Sequence, residues 1–392
     1  MSGETTSAAV PVVIVGSGLA GYAVAREFRK LDKETPLVVL SRDHGGFYSK
    51  PMLSNALAGQ KTAASLLMKP ADKMAAELNA SVRVGVSVQR IATAERELTL
   101  SGGEVLAYRD LVLALGADPI RLPLEGDAAN TVLSVNDLDD YARFAQALEG
   151  ARSVAILGGG LIGCEFANDL LHRGIAPTVL DVADRPLSRL LPVEASAWLR
   201  AWLEAAGVNF RFGVTASRID HADDGGVKLA LSDGSTLHTD RVLSAIGLRP
   251  RVSIAEAAGL AVGRGITTDR LLATSAAHLY AVGDCAEVMG LNLPYVMPLM
   301  QQSRALAATL CGHPTPVGYP AMPVLVKTPA CPTVVCPPPP DAVGRWTVIS
   351  TEDACEARYI DACGVLAGFA LLGAATSQKQ ALAATVPAWL AD

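Results

Sequence analysis

The 392-residue sequence predicts an α/β chain with two doubly wound, parallel-sheet units and a small α+β unit at its C-terminal end. Three observations carry that prediction. A G-x-G-x-x-G run stands twice between a strand pattern and a helix pattern, at Gly16, Gly18 and Gly21 and again at Gly158, Gly160 and Gly163. Apolar strand patterns stop at a glycine three further times, at Gly116, Gly247 and Gly283. From about residue 318 the pattern changes to short strands interrupted by prolines.

The first unit opens with Val12-Val-Ile-Val15, a short buried-type strand, followed by a helical pattern from Tyr22 to Leu31. In that context the glycines read as a dinucleotide fingerprint. Gly16 permits the tight turn, Gly18 lets the backbone approach a pyrophosphate, and Gly21 lets the helix pack against the strand. Backbone N–H groups of the first turn, around Ser17, Leu19 and Ala20, then face the phosphates with the helix dipole behind them. Pro36 to Leu40 is the second strand. An acidic residue usually stands at its end and binds the adenosine ribose. Here Ser41 stands there, a candidate ribose ligand, with Arg42 as a candidate phosphate partner and Asp43 behind it.

Gly45 to Ser54 reads as a loop that opens a helix, with Pro51 at its first position and Lys50 just before it. Lys69 to Ala80 is helical in pattern, Val82 to Ile91 and Glu97 to Leu100 alternate as strands, and Leu111 to Ala117 is a buried strand ending at Gly116. Pro119 and Pro123 mark a linker.

The second unit follows. A helix over Val135 to Leu148 precedes the Val154 strand, and Leu161, Ile162 and Gly163 lead into a helix from Cys164 to Arg173. The strand Pro177 to Leu180 closes on Asp181, and the helix Val193 to Ala206 ends at Gly207. A hairpin over Val227 to Leu237 turns at Asp233-Gly234. Arg241 to Pro250 contains Ala245-Ile-Gly247, a strand that stops at a glycine, and His278 to Ala286 contains Gly283-Asp284. A helix from Met300 to Leu310 follows, then the proline-rich strands, a strand from Val365 to Leu372 and a helix near Gln378 to Val386. The division expected is 1–119 and 244–317 for a first dinucleotide-binding domain, 120–243 for a second, and 318–392 for the C-terminal domain.

Composition narrows the function. The formal net charge is -6, so nothing points to nucleic acid. No apolar run reaches the ~20 residues needed to cross a membrane. Met1 to Pro11 shows neither a basic nor an apolar region of a signal peptide, and residues 1–10 read as a loose lead-in. Seven scattered cysteines fit reduced thiols of a cytoplasmic protein. No paired metal ligands appear among the six histidines.

The ordered landmarks resemble the two-dinucleotide-binding flavoprotein reductases, the glutathione reductase-like superfamily. Gly16/Gly18/Gly21 match its FAD fingerprint, Ala114-Leu-Gly116 and Ala245-Ile-Gly247 its strand-to-glycine motifs, Gly158/Gly160/Gly163 its nicotinamide-nucleotide fingerprint, and Gly283-Asp284 its second FAD motif. Within that superfamily, Tyr48-Ser-Lys-Pro-Met-Leu-Ser54, Val326-Lys-Thr328 and Gly364-Val-Leu-Ala-Gly-Phe369 are similar to bacterial NADH:rubredoxin reductases. The resemblance implies two Rossmann-like dinucleotide-binding domains, for FAD and for NAD(H), plus the C-terminal domain. It makes Asp284 the acceptor for the FAD ribityl chain and adds Val88 and Val296 to the FAD contacts. It implies that Lys50 and Glu165 pair beside flavin N5, the lysine favouring electron-rich reduced flavin. Lys327 is a candidate for the flavin N1/O2 edge. Hydride would pass directly from nicotinamide to flavin, the protein supplying orientation and electrostatics.

Asp181 lies 18 residues after Gly163, where a carboxylate accepts the ribose hydroxyls of NAD and opposes a 2′-phosphate, so NADH is the expected donor. Arg185 is near enough to oppose that preference. Disulfide reductases of the superfamily need paired cysteines at the flavin, and residues 1–163 contain none. Cys164 reads as a packing residue, and Cys331 and Cys336 as reduced structural thiols. Electrons should therefore leave to an outside acceptor. Rubredoxin is the leading partner, ferredoxin serving an oxygenase the alternative, and a non-enzymatic, NAD-responsive flavoprotein scaffold the reading from another class.

Overall fold

A computed structural model describes residues 9–390. Residues 1–8 of the expected lead-in lie outside that range. The strand Val12–Val15 is the centre of a five-stranded sheet. Its order is Leu279–Ala281, Asp110–Leu113, Val12–Val15, Leu37–Leu40, Ser81–Arg83, and every pairing is parallel. Parallel strands are covered on both faces and so read as unbroken apolar runs. Val12, Val13, Ile14, Leu111, Val112 and Leu113 are all fully buried. The outer strand Leu279–Ala281 returns to this sheet after the whole second unit has been made.

The second sheet is also parallel, in the order Asn209–Phe212, Ala176–Asp181, Ser153–Leu157, Arg241–Ser244. A third, five-stranded sheet is antiparallel: Val324–Val326, Thr333–Cys336, Leu366–Gly373, Ala354–Asp361, Gly344–Ser350. Its inner face shares one apolar core with the second sheet. Ile156 and Val179 of the second sheet, Val335 and Leu372 of the third, and Leu53 and Leu57 from the Lys50 region lie in one buried cluster. The short antiparallel pair Ala117–Pro119 with Leu248–Pro250 joins the two crossings between the first and second sheets.

Several boundaries differ from the sequence expectation. The strand expected over Val82 to Ile91 is two, Ser81–Arg83 and Val88–Ala92, because Gly85 turns the chain through a φ of 66°. The helix expected from Lys69 to Ala80 is Ala71–Leu78 and ends at Asn79, which takes the left-handed conformation. The helix expected from Met300 begins at Val296; Pro298 is tolerated because first-turn N–H groups have no intrahelical acceptor. Lys50–Asn55 is 3-10 rather than α-helical. The C-terminal helix is short, Lys379–Ala383, after a 3-10 turn at Ala374–Gln378. A helical turn at Ala63–Leu66, closed by a Thr62–Ser65 capping box, had no counterpart in the sequence reading.

All seven cysteines are free thiols. Cys363 alone is exposed, in the turn between Ala354–Asp361 and Leu366–Gly373; five are buried and Cys311 is half-buried.

Candidate functional site

Two glycine loops at the C-terminal ends of parallel strands build the site. At the first, a Cβ on Gly16 would sit 2.2 Å from the Ala114 carbonyl oxygen, and one on Gly21 would sit 1.9 Å from the Gly16 carbonyl oxygen. The loop therefore packs backbone on backbone, which only glycine permits. Gly18 differs: a Cβ there would meet nothing within 4 Å. That is the open side, at the N-terminus of the helix Leu19–Leu31. The second loop repeats the arrangement. Cβ atoms on Gly158 and Gly163 would meet Ala245 O at 2.6 Å and Gly158 O at 1.9 Å, and Gly160, which starts the helix Leu161–Leu171, faces open space. Each loop thus offers unblocked backbone to a phosphate at a helix N-terminus, which fits one dinucleotide at each.

The strand-to-glycine motifs close on these loops. Gly283 packs against Ala20, where a Cβ would approach to 2.7 Å, and its N–H donates to Gln302 Oε1 at 2.7 Å. Gln302 in turn donates to the buried Tyr319 hydroxyl at 2.8 Å. Gly116 and Gly247 both take positive φ, 71° and 123°. Val88 is half-buried on its strand and Val296 is the exposed first residue of its helix. Ile162 is exposed at the second loop.

The expected Lys50–Glu165 pair does not form; this is a correction to the sequence reading. Lys50 Nζ lies 3.5 Å from Asp284 Oδ2. Glu165, fully buried, is ion-paired with Lys327 instead. Its carboxylate also accepts from the Lys327 backbone N–H at 2.9 Å and from Ser54 Oγ at 2.6 Å. Burial explains the choice. A carboxylate removed from water needs a full set of donors. The Val326-Lys327-Thr328 segment supplies two from one residue, whereas Lys50 stands at the partly exposed start of its 3-10 turn. Each of the four site lysine and carboxylate positions is thereby part of a cation–carboxylate pair, Lys50 with Asp284 and Lys327 with Glu165.

Ser41 is engaged by its neighbours. Its buried hydroxyl lies 2.6 Å from Ser17 Oγ and donates to Asp43 Oδ1 at 2.6 Å, and Gly45 N–H donates to the same oxygen at 2.9 Å. Ser41 is therefore engaged within the protein. Asp43 Oδ2 carries no hydrogen bond among the described residues, which leaves an acidic group for a ribose two positions later than expected. Burial raises the Asp43 pKa, but the Ser41 hydroxyl, the Gly45 N–H and the charges of His44 and Arg42 outweigh it and hold the carboxyl below its ordinary value. The Asp-x-Gly of Asp43 to Gly45 is the sequence signal that marks this position. Arg42 is exposed.

Asp181 stands at the end of its strand and accepts from Gly159 N–H and, at 2.8 Å, from Ala183 N–H. Arg185 turns away to Asp184 Oδ1 at 2.6 Å. Cys164 is fully buried behind the second loop and donates to Gly159 O at 3.4 Å; burial, with Asp181 and Glu165 nearby, pushes its thiol up to about 12, far from a reactive thiolate.

Two glycine loops, each open at a helix N-terminus after a parallel strand, are the pattern of a chain that binds two dinucleotides. The family described as pyridine nucleotide-disulphide oxidoreductase matches residues 10–307, and one described as rubredoxin binding C-terminal domain matches residues 316–386. The chain is 51% identical over 378 residues to the rubredoxin-NAD(+) reductase of Alcanivorax borkumensis, covering 96% of this chain and 99% of that one. It is 47% identical to the rubredoxin-NAD(+) reductase of Acinetobacter baylyi, covering 96% and 97%. Among solved structures, the ferredoxin reductase for the CYP199A2 system from Rhodopseudomonas palustris superposes with a TM-score of 0.87 at 28% identity, covering 96% and 95%. The chain belongs to the pyridine nucleotide-disulphide oxidoreductase family.

Proposed function

We propose that this chain is an FAD-dependent reductase that takes electrons from NADH and delivers them one at a time to rubredoxin. The observation that carries the reading is the near full-length likeness to two reductases named for rubredoxin, together with a rubredoxin-binding C-terminal segment. Bound FAD would supply the chemistry, accepting a hydride and releasing single electrons. The residues around it do the rest. The first glycine loop, Asp43 and Asp284 hold the FAD phosphates and sugar hydroxyls. Lys50 and Lys327, each fixed by its carboxylate, would supply positive charge to bound flavin, which would favour its electron-rich state. The second glycine loop and Asp181 hold NADH, and a ribose 2′-phosphate would meet the Asp181 charge.

The expected division into 1–119 with 244–317, 120–243 and 318–392 is supported by the way each sheet draws its strands. No helix among the described residues is long and apolar enough to cross a membrane, and a cytoplasmic location agrees with the free thiols. Anaerobic stopped flow tests the function. Protein reduced by NADH and mixed with oxidised rubredoxin should lose flavin reduction and bleach the iron absorbance rapidly, with a [2Fe–2S] ferredoxin much slower. Rapid transfer to ferredoxin alone would move the chain to the ferredoxin-coupled reading, and transfer to neither would overturn the function.

A further inference from the structure

The helix Leu161–Leu171 carries three successive buried polar groups whose partners lie in other parts of the chain. Glu165 is fully buried, and Asn168 and Asp169 are each 2% exposed. Asp169 accepts from Leu57 N–H and Ala58 N–H, both at 2.9 Å, and so fastens the chain just after the Lys50–Asn55 turn. Asn168 Oδ1 accepts from Ala330 N–H at 3.0 Å. Ala330 lies three residues after Lys327, in a tight loop closed by the Thr328 hydroxyl on Cys331 O at 2.7 Å and by Cys331 N–H on Thr328 O at 2.8 Å. The loop has one strand before it, Val324–Val326, and one after it, Thr333–Cys336. It is therefore held at three places: by its strands, by Glu165 on Lys327, and by Asn168 on Ala330.

We propose that Asn168 is a positioning residue that acts through Lys327: by holding the Ala330 N–H it fixes the loop whose lysine stands beside the flavin. Glu165 holds both the ammonium and the backbone N–H of Lys327, but at that one residue only, and leaves the turn from Thr328 to Cys331 free to swing about it; a lysine also carries rotamer entropy that must be suppressed. Two ties on one helix, at Glu165 and at Asn168 one turn away, suppress both the side-chain and the loop freedom. Because the helix begins at Gly160, the same rigid element that receives the nicotinamide nucleotide sets the lysine. The inference rests on the reading that FAD lies against Lys327, and it does not depend on which protein accepts the electrons.

The test is a double-mutant cycle read in the two-electron midpoint potential of the bound flavin, titrated with dyes and without any acceptor protein. Lys327→Met should lower the potential. Asn168→Ala should lower it by about 30 mV, a tenfold shift in the reduced-to-oxidised ratio. In the Lys327→Met background Asn168→Ala should cause no additional shift. If the alanine variant does not fold, Asn168→Leu, which keeps the buried volume and lacks only the amide, is read in its place. An Asn168 variant that lowers the urea midpoint but leaves the potential at its original value would overturn the proposal. So would an equal drop with and without Lys327. An unchanged potential in Lys327→Met itself would overturn the flavin-facing reading of Lys327 and this proposal with it, whereas a shift in Lys327→Met alone would remove only the role of Asn168.

Discussion

At the scale of single residues, the chemistry depends on carboxylates whose lone pairs are already partly committed. Asp181 uses hydrogen bonds from Gly159 and Ala183 to hold its place at the strand end, beside the second glycine loop where NADH is proposed to bind. Asp181→Asn keeps the shape and removes the charge. It should raise KM for NADH about tenfold, equivalent to ~1.4 kcal/mol, and narrow the preference for NADH over NADPH in steady-state assays. An unchanged preference would show that discrimination lies elsewhere. The place of Asp181 was legible in the sequence, because a fingerprint sets where the strand after its helix ends. The partners of Glu165 were not legible. Lys327 is 162 positions away, and the family resemblance pointed to Lys50 as the partner instead. Only the packing of the third sheet against the second decides between them. The bonds of Ser41 to Ser17 and Asp43 were not legible either, because they form a local network that strand spacing does not reveal.

At the scale of elements, the parallel strands are tied at their starts as well as at their glycine ends. Asp240 accepts from Arg152 N–H at 2.7 Å and Ser153 N–H at 2.9 Å, joining the beginnings of the strands Ser153–Leu157 and Arg241–Ser244. Burial raises its pKa, but those two N–H groups, the Ser153 hydroxyl and Arg152 lower it further, so the net shift is downward. A depressed folded pKa stabilises above the unfolded value, near 3.9, and the contribution is lost as pH falls through the folded value. Asp240→Asn should therefore be less stable than the parent at neutral pH in urea unfolding, and the gap should close as pH falls below the ordinary aspartate range. A gap that is constant with pH would refute the charge as its source. The glycine-ended elements were read correctly because their requirement is steric and local. The hairpin Gly344–Ser350 with Ala354–Asp361 was not singled out, since Trp346 and Val348 on one face and the exposed Ile349 on the other break the apolar alternation in the sequence.

At the scale of the whole molecule, the second and third sheets share an interior with the Lys50–Asn55 turn of the first unit. The cluster that includes Leu53, Ile156, Val335 and Leu372 draws on all three parts of the chain, so the two nucleotide sites and the C-terminal sheet should unfold together. A ligand that binds only the folded state then stabilises every part at once. NAD+ at about 100 times its Kd should add about 2.7 kcal/mol to unfolding, read as one shift of a single transition in far-ultraviolet and flavin signals alike. Two separate transitions, only one of them moved, would show that the shared core does not couple the parts. This coupling was not visible in the sequence, where the change of pattern near residue 318 marked a boundary but not the surface beneath it.

The distribution of thiols has a practical consequence. Five of the seven cysteines are buried and Cys311 is half-covered, while Cys363 projects from the outer turn of the antiparallel sheet. A maleimide reagent thus has one ready handle, set in a turn and absent from both glycine loops. Tethering through it to gold or carbon would give a monolayer in which every molecule hangs from the same corner. In such a film the current drawn from NADH would report orientation rather than an average over random poses.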